Sequence, residues 1–240
     1  SNSGYAKSGD TITLTITVSE SVTSLACTID GEAATMGGSG TSWTAALTLS
    51  GDETEQNTVF SCGSHVDAAG NAGAADTSAD SGAVTTDLTV PTLSNIVEAT
   101  SGSGDANNGD SVSLTITASE AIQQPTCTYS SGGAAMASTP TYSGSGTSWT
   151  SSIAVADGDT NGAVTFSCAY SDLAGNAGVA DTTPNSGDVT VDNTHPTLSA
   201  AVLAIGGSGN GNNGDSMTLT ITPPETIGTP TCTFTSGGAA

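Results

Sequence analysis

Between residues 11 and 18 the chain alternates strictly, with Ile12, Leu14, Ile16 and Val18 separated by threonines. A period of two puts successive side chains on opposite faces of an extended chain, so this stretch predicts a half-buried strand. Val112, Leu114, Ile116 and Ala118 repeat the pattern. Shorter apolar stretches around Cys27, after Trp43, around Phe60 and before Pro91 read as further strands. Turns rich in Gly, Ser, Asn and Asp separate them. No window carries a helical period. The expected fold class is all-β, with two small antiparallel sheets packed face to face.

The strands belong to a repeat. Gly9-Asp10-Thr-Ile-Thr-Leu-Thr-Ile-Thr-Val-Ser-Glu20 returns as Gly109-Asp110-Ser-Val-Ser-Leu-Thr-Ile-Thr-Ala-Ser-Glu120, and again from Gly214-Asp215 to Glu225, at offsets of 100 and 105 residues. Trp43 matches Trp149, Phe60-Ser-Cys62 matches Phe166-Ser-Cys168, and Asp67-Ala-Ala-Gly-Asn71 matches Asp172-Leu-Ala-Gly-Asn176. The linkers Val90-Pro-Thr-Leu-Ser94 and His195-Pro-Thr-Leu-Ser199 close the pattern. A unit of about 100 residues is a whole domain, since solenoid turns span only 20–45. The expected domains are 1–90, 91–195 and 196–240. The first is expected to lack its opening strand and the third to hold only its N-terminal part, within a longer parent chain.

Together these motifs resemble the bacterial-type immunoglobulin-like repeats of large surface proteins, adhesins among them. The resemblance covers the whole chain. It implies tandem immunoglobulin-like β-sandwiches acting as a spacer, stalk or binding module, and it supplies no catalytic residues.

Composition narrows the partners. Lys7 is the only basic residue against 23 acids, for a net charge of −22. Such a surface repels nucleic acid and anionic membranes, and its natural small partners are cations. No apolar run approaches the ~18 residues of a membrane span. Ser and Thr total 75, and aromatics are 4%, so each core must be thin and built from Val, Ile, Leu and Ala. The N-x-S/T glycosylation acceptor is absent, and hydroxyl attachment is open near Ser143–Ser148.

Cys27 and Cys62 lie 35 apart, and Cys127 and Cys168 lie 41 apart, in matching places of two repeats. Strand parity turns all four inward, which predicts the bridges Cys27–Cys62 and Cys127–Cys168; buried free thiols are the alternative. In immunoglobulin lettering these cysteines sit on strands C and F of one sheet, whereas the usual bridge crosses from B to F. Cys232 is the first cysteine of the third repeat, and its partner is expected beyond Ala240 or in another molecule. Bridges imply an oxidising, extracellular or cell-surface setting.

No cofactor is required, and calcium is the candidate ion. Asp157-Gly-Asp159-Thr-Asn161-Gly162 matches the opening of a calcium loop, whose alternate positions supply hard oxygen ligands. Cys168 stands where the full loop would have its closing Glu, and a polar turn is the plainer reading. A second candidate lies at domain junctions, where Asp105 and Asp110 follow one linker and Asp192 sits in the next. Asp67 and Asp172 read as turn formers. Trp43 and Trp149 read as packing, with a carbohydrate platform as the rival.

Three enzyme-like strings fail. Gly-Asp-Ser at 109–111 and 214–216 has Thr11 in the first repeat and no recurring His as a base. The string Gly209 to Gly214 fits a dinucleotide fingerprint but leads into a strand where a helix is needed. His65 and His195 occupy unrelated positions. The expected function is a non-catalytic structural segment of a long extracellular surface or filament-forming protein. Its partners are then neighbouring repeats and other copies of itself. The alternatives are an adhesin module binding a glycan or cell-surface protein, and an ancillary domain of a secreted hydrolase.

Overall fold

A computed structural model describes residues 4–63, 65–206 and 210–235; the start of the Gly209 string lies outside them. The chain divides into two compact units, Ser1–Asp192 and Asn193–Ala240.

In the first unit the opening repeat contributes β1 (Tyr5–Ala6), β2 (Thr11–Ser24), β3 (Cys27–Ile29), β4 (Glu32–Ala33) and β5 (Thr35–Thr48). It continues with β6 (Gln56–Asn57), β7 (Phe60–Cys62), β8 (Val66–Asp67) and β9 (Thr85–Thr86). The second repeat adds β10 (Leu93–Thr100), β11 (Ser111–Ala118), β12 (Thr126–Ser131) and β13 (Ala134–Ala135). Its remaining strands are β14 (Thr141–Ser145), β15 (Ser148–Ala154), β16 (Gly162–Ala169) and β17 (Thr190–Val191). The second unit holds an antiparallel hairpin, β18 (Ala200–Ile205) and β19 (Met217–Thr222).

The second repeat is an immunoglobulin-like sandwich. One sheet has the order β10-β11-β15-β14 and the other β13-β12-β16-β17. The alternation along β11 works as predicted: Val112, Leu114 and Ile116 are fully buried. They join Ile96 and Ile153 from the same sheet and Tyr129, Phe166, Cys168 and Val191 from the facing one in a single core. The first repeat keeps the same registers, with Ile16 opposite Trp43 as Ile116 is opposite Trp149. Its sheets are smaller, β5-β2-β8, β4-β3-β7 and β1-β9-β6, and its core is split into two clusters. Few large apolar side chains are available to join them.

Both bridges are formed, Cys27–Cys62 and Cys127–Cys168, each between neighbouring strands of one sheet. The main-chain N–H and C=O of Cys62 pair with Asp76, and those of Cys168 with Asp181. Each cysteine pair is therefore a non-hydrogen-bonded pair, the kind in which opposite side chains approach most closely; the Cα separations are 4.0 and 4.1 Å. Cys232 is a free, exposed thiol.

The recurring Gly-Asp is a turn. Asp10, Asp110 and Asp215 each accept, at a carboxylate oxygen, the N–H of the residue three positions back (Lys7, Asn107 and Asn212). The preceding Gly9, Gly109 and Gly214 have φ of 86°, 97° and 96°, a conformation that favours glycine. The turn aims the chain into its long central strand.

Candidate cation site at the repeat junction

The Asp-x-Ala-Gly-Asn loop builds one wall of the site. Asp172 is fully buried. One of its carboxylate oxygens accepts the N–H groups of Gly175 and Asn176 at 2.6 and 2.8 Å, and the other accepts the Asn176 side-chain amide at 2.7 Å. Asp67 holds the equivalent loop of the first repeat in the same manner but is only half-buried. The difference is the neighbour. The Asn176 side-chain amide also donates to the main-chain oxygen of Asp87, in the linker between the repeats, at 2.9 Å. Lys7, the one basic residue of the chain, lays its side chain over Gly175 of the same loop.

This docking gathers acids from both repeats. Carboxylate oxygens of Asp87, Glu120 and Asp172 all lie within 4.8 Å of one another. Among the described residues no other three acidic, His or Cys side chains converge in this way. Calcium binds oxygen at about 2.4 Å, so oxygens at such separations fit around one ion. Loss of solvent, then the charge of Asp172 and that of Glu55, raises the Asp87 carboxyl against an opposing hydrogen bond from the Thr89 N–H. Burial, then the charges of Asp87, Asp172 and Glu55, raises Glu120. Glu55 is lowered by the Thr89 hydroxyl and the Leu88 N–H, at 2.6 and 2.9 Å. The four acids thus repel one another across the junction, and a divalent cation with oxygen ligands is the chemistry that relieves it.

None of the six ligands singled out from sequence is among these three acids. Asp192 occupies the linker position of Asp87, four residues before the proline. It accepts a hydrogen bond from the Asn161 side chain at 2.9 Å, so two of the proposed ligands do meet. Asp159 is buried, and its two oxygens take the N–H groups of Ala137 and Ala156 at 2.9 and 2.8 Å, tying the turn to the sandwich. Asp157 points to solvent. Asp110 caps its own Gly-Asp turn, while Asp105 is exposed beside it. Glu120 escaped sequence reasoning although it closes the repeated strand motif with Glu20 and Glu225. A charged residue recurring where the apolar alternation stops was the available signal. Trp43 and Trp149 pack against the cores and donate their indole N–H to the carbonyls of Gly40 and Gly146.

No protein-family model matches the chain, and no curated protein sequence matches it. Solved structures that resemble it are assemblies of immunoglobulin domains. Titin domains I67–I69, as an E-to-A variant, share 10% identity, with 92% of this chain and 74% of that one covered at a TM-score of 0.44. A marsupial T cell receptor shares 11%, with 85% and 76% covered at 0.43. An ICAM-5 D1–D4 ectodomain fragment shares 18%, with 85% and 54% covered at 0.33. Overlap this loose carries no argument about function. The fold rests on the sheets themselves, which are those of tandem immunoglobulin-like sandwiches.

Proposed function

We propose that the chain is a non-catalytic, load-bearing repeat segment of a long extracellular surface or filament-forming protein, with calcium as a coupling ion at the repeat junctions. The observation that carries this reading is the docking of the Asp172 loop onto the Asp87 linker. A chain of independent binding modules needs no such contact. A stalk needs it, because the contact limits motion between one sandwich and the next. Two cross-strand disulfides support an oxidising environment outside the cell. Saline surroundings would suit the acidic coat, since like charges are screened to within about 3 Å at 1 M ionic strength.

The test is electron microscopy of the native protein with and without a calcium chelator. Rods or fibres of constant width that lose their stiffness on chelation are expected. Flexible beads indifferent to calcium would overturn the reading.

A further inference from the structure

The second repeat hides a polar group in its core. Cross-strand pairing sets Glu98, Leu114, Ser151 and Tyr142 in one row across the first sheet. Glu98 is 4% exposed and Ser151 is fully buried. Tyr129, itself 4% exposed, faces them from the opposite sheet and interacts with Ser151, Tyr142 and Glu98. One Glu98 oxygen accepts the Val189 N–H at 3.1 Å. The other has no hydrogen-bond partner, and the Tyr129 and Ser151 hydroxyls lie against each other. A buried carboxylate normally needs a cation or several donors. The charged and titratable groups facing Glu98 are instead Asp188 from the adjoining loop, Tyr129 from the facing sheet and Tyr142 at the end of the row.

The three repeats vary these positions together. By strand register and the matching cysteines, the first repeat has Ile29 for Tyr129 and Ala45 for Ser151. Counting from the linker prolines, the third has Leu203 for Glu98, and its cysteine aligns Phe234 with Tyr129. At each of the four positions that can be compared, an apolar residue stands where the second repeat has the acid or a hydroxyl.

We propose that Glu98 is carried as a neutral carboxylic acid in the folded second repeat, and that its ionisation is a proton-operated weakening of that repeat. A neutral carboxyl has no charge to strip of water, whereas a carboxylate held by the single Val189 N–H leaves a charge buried among apolar side chains. Burial, and to a lesser degree the charge of Asp188, raises the Glu98 carboxyl above its ordinary 4.5, against the hydrogen bond from Val189. Stability from the neutral form is complete below the unfolded value. It is lost as pH climbs to the folded value, the folding equilibrium falling about tenfold per pH unit across that window. Within a stalk this makes the second repeat the one whose resistance to unfolding follows external pH.

The test uses the whole chain. Carboxyl-carbon NMR follows Glu98 directly through a pH titration. Urea unfolding followed by Trp149 emission in a Trp43→Phe background reports the second repeat. Asp87 and Glu120 titrate in the same direction, so the informative quantity is the difference between this protein and its Glu98→Gln variant. The expected results are a Glu98 titration above the ordinary glutamate value and a second-repeat midpoint that falls with pH only where Glu98 is present. The pair Glu98→Leu and Tyr129→Phe, which copies the third repeat, is expected to fold and to lose the same dependence. A Glu98 that titrates as an ordinary glutamate, or variants that track the parent at every pH, would overturn the proposal. If the variants do not fold, the NMR titration of the parent still decides.

Discussion

Replacing Cys127 and Cys168 together by alanine reopens a loop of 41 residues in the unfolded chain. In the chain-entropy picture that closure is worth about 4 kcal/mol at 25 °C. A repeat of about 100 residues has a total stability of only about 5–15 kcal/mol, so the bond supplies a large share. The two sulfurs also leave sites that are 3% and 0% exposed, which adds a small cavity cost in the same direction. At about 4–8 °C per kcal/mol for a domain of this size, the second repeat should melt roughly 15–30 °C lower. The Cys27 and Cys62 pair closes 35 residues and carries a nearly equal entropy, about 4 kcal/mol. Among the described residues, however, its repeat has two buried clusters of four where the second repeat has one of fifteen and one of three. The alanine pair at Cys27 and Cys62 should therefore leave the first repeat unfolded at room temperature, while the pair at Cys127 and Cys168 leaves the second repeat folded. Differential scanning calorimetry of the chain and both double variants reads this, with non-reducing peptide mapping to confirm the bridges. Shifts of only a few degrees, or equal losses in the two repeats, would refute the reasoning.

Other outcomes follow from the junction and the core. Millimolar calcium should raise the melting temperature of the chain, and Glu120→Gln should remove most of that rise while stabilising the calcium-free protein; calorimetry with and without chelator checks both. Asp87 and Glu120 are raised above their ordinary values. Without calcium, their contribution is complete below the unfolded values and is lost as pH rises through the folded ones, so the junction should be firmest in mild acid. Asp172→Ala removes three hydrogen bonds to a carboxylate, two of them from main-chain N–H groups, and should cost about 3 kcal/mol. The same change at the half-buried Asp67 should cost less, since water reaches the loop; urea titrations of the two variants compare them. At Gly187 φ is 82°, and a Cβ would stand 1.9 Å from the Glu98 carbonyl oxygen. Gly187→Ala should therefore cost at least about 2–3 kcal/mol from the backbone conformation alone, measurable as a lower melting temperature of the second repeat.

Much of the fold was written in local pattern. The alternation of residues 11–18 and 111–118 gives long central strands because side chains of period two select one buried face, and Val112, Leu114 and Ile116 show that face at full burial. The same parity argument turned the cysteines inward. The matching places of Cys27, Cys62, Cys127 and Cys168 then paired them correctly, because a bridge between neighbouring strands needs only register. Asp159 shows where such reading stops short. In sequence its spacing suggests a ligand; in the structure its oxygens accept the N–H groups of Ala137 and Ala156, and the acids that converge are Asp87, Glu120 and Asp172. Spacing fixes which side chains could converge, and the packing of the turn decides which do.

The junction was less legible because its parts are far apart in the chain and each has a sufficient local explanation. Asp172 satisfies its own loop as Asp67 does, and nothing within Asp-Leu-Ala-Gly-Asn says that Asn176 also reaches the main chain of Asp87, 89 positions away. Glu120 ends a strand and reads as a solvated terminus. Only when the linker folds the second repeat against the first do Asp87, Glu120 and Asp172 come together. The recurrence that exposed the repeats still held a trace of it. Glu20, Glu120 and Glu225 keep one place at the end of the Gly-Asp motif, and Asp87 and Asp192 keep one place before the linker proline. Turn formation explains the acids that cap loops, but it does not require an acid at either of these places. The junction between the first two repeats uses one of each, Asp87 from the linker and Glu120 from the following repeat.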